Sequence, residues 1–287
     1  YFFLQTNFGR LDYDPNLRLT QTIESLKILK KHNFKIKNKI IFEVGTGHLP
    51  IIPTFFFLLG AKKIYSYDLN RRLNFFLFSK TLKVIYDNRK IFKKEFLPYL
   101  EDNIYENKIK ILKNTYNHPK SFLEFSNIIY KAPGNAADSN LKKNSIDLHF
   151  SCTTFEHIPK KNINSIMKEA FRILKPNGLT LHRIDLSDHF AHQDKSISLI
   201  NFLKFNKKFW SIIGGNQFAY CNRLRYPEYN KIFEKNNLKL IEEEKKIDEK
   251  SLKLLMSGFK IHNDFHKYSN KEICVIGYTI LHIKKKI

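Results

Sequence analysis

Apolar positions along this chain follow two rhythms. Runs that are continuous or alternate in twos fall near residues 39–45, 63–68, 179–185, 238–244 and 273–283, and each predicts a strand. Elsewhere the apolar residues return at helical spacing. Helices are expected over 22–29, with Thr20 or Thr22 as cap, and over about 50–59, 73–86, 161–174 and 227–236. In the fourth of these, Ile163, Ile166, Met167, Ala170, Phe171 and Leu174 make one apolar face, and Asn177-Gly178 is expected to end it, with glycine supplying left-handed backbone. Residues 90–131 are less regular. Ile109-Lys110-Ile111-Leu112 suggests a short strand, so a third core strand lies either there or at 126–130. Pro133-Gly134-Asn135-Ala136-Ala137-Asp138 breaks all periodicity and reads as a loop. A fourth strand begins at Asp147.

Strand and helix alternate from residue 39 onward, which predicts an α/β fold. Its opening is the most informative stretch. Lys39-Ile40-Ile41-Phe42-Glu43-Val44 reads as a buried parallel strand that breaks into Gly45-Thr46-Gly47, with Pro50 or Pro53 suited to the first turn of a helix. A strand, a glycine turn and a helix open a nucleotide-binding βαβ unit, and the missing Cβ atoms let a ligand lie on the backbone. A dinucleotide fingerprint would place a third glycine where Pro50 stands. Glu43, just before the turn, suits a ligand with a cationic end, and S-adenosylmethionine carries both an ammonium and a sulfonium. Asp68 ends the next strand about 20 residues past the glycines, where a ribose diol would donate to it.

With these residues the chain resembles class I S-adenosylmethionine-dependent methyltransferases, bacterial type 11-like members whose acceptor is unknown. The likeness covers about residues 36–190. Leu49 replaces the family's usual third glycine. Gly134 to Asp138, Asn144 to Phe150, Phe155-Glu156-His157-Ile158 and Leu174-Lys175-Pro176-Asn177-Gly178 follow in the family's order. The resemblance implies a Rossmann-like seven-stranded, mostly parallel sheet with helices on both faces and a helical, aromatic cap. It implies S-adenosylmethionine as cofactor, held by Glu43, Gly45, Thr46, Gly47, Asp68, Leu69, Asn135, Ala136 and Ser151. Asn135 stands where an Asp commonly meets the adenine amino group, and its carbonyl can still accept that hydrogen. Asp147 is implied to be structural. The expected organisation is a helical lead-in over 1–38, the cofactor-binding core over 39–189, a cap over 190–236 and closing strands over 237–287.

Catalytic candidates follow from the strand that ends in His182-Arg183-Ile184-Asp185-Leu186-Ser187-Asp188-His189. Alternation puts His182 and Ile184 on one face and Arg183 and Asp185 on the other. Either Asp185, Asp188 and His189 line the acceptor pocket, with His189 or His157 as base, or Arg183 and Asp185 form a buried pair while Asp188 caps the next turn. His157 has a scaffolding reading beside the catalytic one. His with two Asp offers usable metal-ligand types, yet the spacing is not diagnostic and no metal is expected. Residues 190–229 are rich in aromatics, with a loop at Gly214-Gly215-Asn216, and read as a cap over the site. Within that segment Arg223, Arg225 and Tyr226 could grip an acidic acceptor or form a solvated charged face.

Composition narrows the partners. The net charge of +23 points either to nucleic acid or to a genome rich in AT codons, since Lys, Ile, Asn and Phe are all inflated and the lysines are spread out. Base methylation is disfavoured. Ser151-Cys152-Thr153-Thr154 stands where amino-directed enzymes have Asn/Asp-Pro-Pro-aromatic, and Cys152 lacks the preceding proline of carbon-directed ones. The expected acceptor is a small molecule or a glycan-linked group, methylated at oxygen, with an RNA-modifying or RNA-binding role as the alternative. The greasiest run, residues 51–61, is too short to span a bilayer, and three cysteines without metal spacing fit a reducing cytoplasm. The sequence opens on Tyr1 rather than Met, which implies that N-terminal residues precede it.

Overall fold

A computed structural model describes residues 13–101, 103–214 and 220–285. Gly215, Asn216 and Phe218 of the expected cap, and residues 1–12 of the expected lead-in, lie outside the described residues. The backbone forms two units, Tyr1–Ala136 with Ile146–Leu148, and Ala137–Ser145 with His149–Ile287.

The first unit opens with α1 (Asn16–Lys31). It starts earlier than the expected threonine caps, because Asp14 accepts from the Asn16 N–H at 2.9 Å and Pro15 sets the first turn. Thr20 and Thr22 instead lie inside the helix, their hydroxyls donating to the carbonyls of Asn16 and Arg18. β1 (Ile40–Val44), α2 (Ile51–Leu58), β2 (Lys63–Tyr67) and α3 (Phe75–Asp87) follow as the patterning predicts. All of α2 is buried, and its one hydroxyl, on Thr54, donates to the Pro50 carbonyl at 2.8 Å. Asn74 caps α3 through the Leu77 N–H.

Residues 89–125 correct the expectation. They form α4 (Arg89–Phe96), α5 (Ile104–Thr115) and α6 (Pro119–Phe125), and 109–112 is helix, not strand. The four-residue apolar window held too little to fix its period. In the helix Tyr105, Ile109, Leu112 and Thr115 are the buried positions, a helical stripe. The third strand is the later alternative, β3 (Ile128–Lys131). Phenylalanines fill the space between these elements: Phe55 meets Phe92 and Phe96 at 5.5 and 5.4 Å, and Phe122 meets Phe57 and Phe78 at 5.5 and 5.9 Å.

β4 (Ile146–Cys152) contributes its first three residues to the first unit and the rest to the second. Asp147 is structural, accepting from the Ile40 N–H at 2.8 Å and so tying the start of β1.

In the second unit α7 (Lys160–Ile173) runs into β5 (Leu174–Asp185). The left-handed residue after the helix is Asn177, at φ 63°, rather than Gly178. Gly178 is needed for space, since a Cβ there would lie 2.9 Å from the Lys175 carbonyl oxygen. After α8 (Lys207–Ile213), α9 (Tyr226–Lys235) and β6 (Leu238–Ile247), the chain forms α10 (Glu249–Met256) and α11 (Asn270–Ile273) and returns as β7 (Val275–Lys284). Much of the aromatic stretch proves to be core. Ile200, Phe202, Leu203, Trp210 and Cys221 pack with Phe265, Ile273 and Cys274.

The sheet has the order β3-β2-β1-β4-β5-β7-β6, with β1, β2 and β3 parallel and β7 antiparallel to both β5 and β6. That is the seven-stranded, mostly parallel sheet expected from the resemblance. No described helix is long and apolar enough to cross a membrane. The helical reading of 104–115 is testable: Leu112→Ala should cost about 2–5 kcal/mol in urea unfolding, and Lys110→Ala at the exposed face no more than about 0.5 kcal/mol.

Candidate functional site

In the first unit the site grows out of the turn after β1. Gly45 and Gly47 hold φ values of 81° and 72°, which side chains other than glycine adopt only with strain. The turn is pinned to the end of β2 by Gly45 N–H to the Tyr67 carbonyl at 2.8 Å and by Gly47 N–H to Asp68 Oδ2 at 2.8 Å. A Cβ built on Gly47 would meet nothing within 4 Å, so bare main chain faces open space there. The loop after β2 is fastened to the same turn, since Asn74 N–H donates to the His48 carbonyl at 3.0 Å.

Two carboxylates flank this cradle. Glu43 is buried on β1 and accepts a short hydrogen bond from the Ser66 hydroxyl, which in turn bonds the hydroxyl of Thr46. Burial pushes its pKa up to about 7, against the lowering effect of the Ser66 bond. Asp68 is likewise raised to about 7 by burial, opposed by the Gly47 N–H. One oxygen of Asp68 is thus turned onto the glycine turn, and a carboxylate can accept further hydrogen bonds. Leu69 stands 70 % exposed beside it. Gly134 brings the loop of Asn135 and Ala136 to the same strand end, its N–H donating to the Asp68 carbonyl at 2.7 Å. A Cβ on Gly134 would lie 2.6 Å from the Lys131 carbonyl oxygen, so the approach requires glycine. Open main chain, two acids and an amide-bearing loop meet what an adenosyl ligand with a cationic tail needs.

The second unit gathers a different group. Asp185, ending β5, accepts from the Ser187 N–H and hydroxyl through Oδ1 at 2.9 and 2.5 Å. Its Oδ2 lies 3.6 Å from His189 Nε2 and 3.8 Å from His192 Nε2. Burial would raise Asp185, but the bonds from His189 and Ser187 outweigh it and hold its pKa below the usual value. Because the single Ser187 hydrogen points to Asp185, His192 Nε2 donates to Ser187 Oγ, 2.8 Å away. The His157 ring centroid lies 5.0 Å from that of His189, and His157 Nδ1 donates to the Tyr220 carbonyl at 2.8 Å. Asp185, His189 and His157 therefore do come together. Asp185 is occupied by Ser187 and the histidines, which is not the buried pair with Arg183 considered from sequence.

Five other candidates are placed differently. The Ser151 side chain is fully buried and bonds His182 Nδ1 at 2.7 Å, so its hydroxyl belongs to a core chain with His182 and His149. Asp188 is 1 % exposed and caps the turn at 189–192 through the Phe190 N–H. Arg223 lies over the Trp210 and Phe265 rings and donates to the carbonyls of Phe202 and Phe205. Arg225 is fully buried and donates to the carbonyls of Leu186, Ile273 and Val275. The two guanidiniums form neither an acceptor grip nor a solvated face. They satisfy main-chain oxygens at loop crossings, where the five donors of arginine suit several acceptors at once. Tyr226 packs on Tyr278 and lies under Lys245.

Sequence reading did not find Ser66, His192 or the buried chain of His149 and His182. Alternation along β4 and β5 puts His149, Ser151 and His182 at inward positions, a usable signal. Nothing local to Ser66 marks it as the partner of Glu43.

The family described as "Methyltransferase domain" matches residues 93–182. Among curated proteins none matches. A solved structure from Galdieria sulphuraria, described as a sarcosine dimethylglycine methyltransferase, is 14 % identical with a TM-score of 0.54, over 99 % of this chain and 97 % of that one. Geranyl diphosphate C-methyltransferase from Streptomyces coelicolor A3(2), in complex with Mg2+, geranyl diphosphate and S-adenosyl-L-homocysteine, is 10 % identical with a TM-score of 0.51, over 94 % and 80 %. At such identities the likeness is one of fold. Replacing Arg225 by Met should lower unfolding stability by about 2–4 kcal/mol, because three carbonyls lose their donor, and should leave S-adenosylhomocysteine affinity unchanged in calorimetry.

Proposed function

We propose that this chain, a class I S-adenosylmethionine-dependent methyltransferase, methylates a hydroxyl of a small-molecule or glycan-linked acceptor. The observation that carries the reading is the open main chain at Gly47 between two acids, the buried Glu43 and the half-buried Asp68. When bound, the cofactor supplies an electrophilic methyl on a sulfonium. Glu43 would face the cationic end of the cofactor, Asp68 the ribose hydroxyls, and Asn135 with the Ala136 main chain the adenine edge. An ammonium beside Glu43 favours its ionised form, so ligand binding removes the proton that burial holds on it.

Methyl transfer to a hydroxyl needs a base near neutral pH and otherwise little beyond placement. His189, with the Asp185 carboxylate 3.6 Å away to stabilise an imidazolium, is the base in this reading. His157, held in one tautomer by the Tyr220 carbonyl, assists. A histidine base orients the choice toward oxygen, since a neutral amine acceptor needs no base until after transfer.

S-Adenosylhomocysteine should bind wild-type protein in calorimetry, and Gly47→Val should abolish that binding at a backbone cost of about 1–2 kcal/mol. Unaltered binding in this variant would remove the assignment. Because Glu43 and Asp68 are raised to about 7 and the ligand favours their ionised forms, affinity should rise between pH 6 and pH 8 with release of protons. The slope should approach about a hundredfold per pH unit on the acid side, about tenfold from each acid. Glu43→Gln should flatten it. His189→Ala and Asp185→Ala should lose turnover while retaining cofactor affinity.

A further inference from the structure

One cluster in the second unit has the chemistry of a metal site. Glu156, His157 and His189 each offer one ligand atom, and the three atoms lie within 4.8 Å of one another. Donors on one ion at bonds of about 2.0–2.2 Å sit about 3–3.5 Å apart, so modest side-chain rotation would close the set. Both imidazoles have the outer support that metal-bound histidines need. His157 Nδ1 donates to the Tyr220 carbonyl at 2.8 Å, which leaves the lone pair on Nε2. His189 has the Asp185 carboxylate 3.6 Å from its ring. Asp185 is itself fixed by the Ser187 N–H and hydroxyl, and His192 stands behind it on the same serine. Glu156 is 1 % exposed, so its carboxylate enters the cluster from the protein interior.

We infer that Glu156, His157 and His189 form a binding site for a divalent first-row transition metal ion, with Asp185 and the Tyr220 carbonyl orienting the two imidazoles. Two nitrogens and one oxygen favour Zn2+, Co2+, Mn2+ or Fe2+ over Mg2+ and Ca2+, which prefer oxygen throughout. Three protein ligands leave positions open, as catalytic sites do and closed structural sites do not. An ion held there would occupy the His189 lone pair, so in the metal-bound protein His189 is a ligand and not the base. The ion itself would lower the pKa of a bound acceptor hydroxyl. Sequence alone suggests histidine with two aspartates at 185–189. The structure brings in Glu156 and His157 instead, from a turn far away in the chain, and uses Asp188 as a cap. The site stands whether or not the acceptor proposed above is right.

Zn2+ titration of the full chain against a chromogenic chelator, without cofactor or acceptor, tests the inference. One tightly bound ion per chain is expected. Asp185→Asn should weaken it about 10–100-fold, and His157→Ala and His189→Ala should each weaken it further. His266→Ala, at an exposed histidine outside the cluster, should change nothing. Mg2+ in large excess should not displace Zn2+. As a second readout, Zn2+ should raise the melting temperature of the wild type and not of the two His→Ala variants. Co2+ bound to the wild type should give visible absorption of a low-coordinate nitrogen–oxygen site. No stoichiometric Zn2+ binding, binding insensitive to both histidine changes, or a Co2+ spectrum like that of the aqueous ion would each overturn the site.

Discussion

The left-handed backbone at Gly45 and Gly47 is the constraint from which the first unit's chemistry follows. An L side chain in that conformation costs about 1–2 kcal/mol, and at Gly47 it would also stand in the open space beside the main chain. Folding the chain this way points two main-chain N–H groups at the end of β2, where Tyr67 and Asp68 accept them. Glu43, Thr46 and Ser66 are then forced into one hydrogen-bonded row. The row is buried, which is why Glu43 holds a proton near neutrality in the absence of a cation. A cation beside Glu43 would relieve that desolvation.

The second unit handles buried polarity differently. His182 bonds Ser151 and His149 inside the sheet and stacks on Phe155 at 4.4 Å. His282 lies on the Phe233 ring at 4.6 Å. Burial lowers the pKa of all three histidines, which keeps them neutral and lets them pack as polar aromatics. Arg225 remains charged because three carbonyls receive it. The partly exposed cluster of His157, His189 and His192 contrasts with this. Its ring edges meet carboxylates and hydroxyls rather than other rings alone, and that is where proton transfer or metal binding is chemically open.

Part of the +23 net charge is engaged in local contacts. Several lysines lie over aromatic rings, as Lys80 over Phe76 at 4.4 Å and Lys108 over Phe57 at 4.5 Å, their stems covering apolar surface. Others pair locally, Lys35 and Lys37 both with Glu101.

The sequence by itself determined the alternation of strand and helix, the glycine turn, and the acids at Glu43 and Asp68. These rest on local rules: period, absent Cβ atoms, and strand ends reached at fixed spacing. It left 90–125 undecided because four-residue apolar runs fit either period, and the helix over 104–115 shows only in the buried stripe of Tyr105, Ile109, Leu112 and Thr115. It could not tell a gripping arginine from a buried one, since Arg223 and Arg225 are distinguished from surface charge only by carbonyls that approach from 202–205, 186 and 273–275. Nor could it add Glu156 to His157 and His189, or join Ser66 to Glu43. Those groups meet because neighbouring strands deliver distant residues to one place, and distance along the chain carries no record of that.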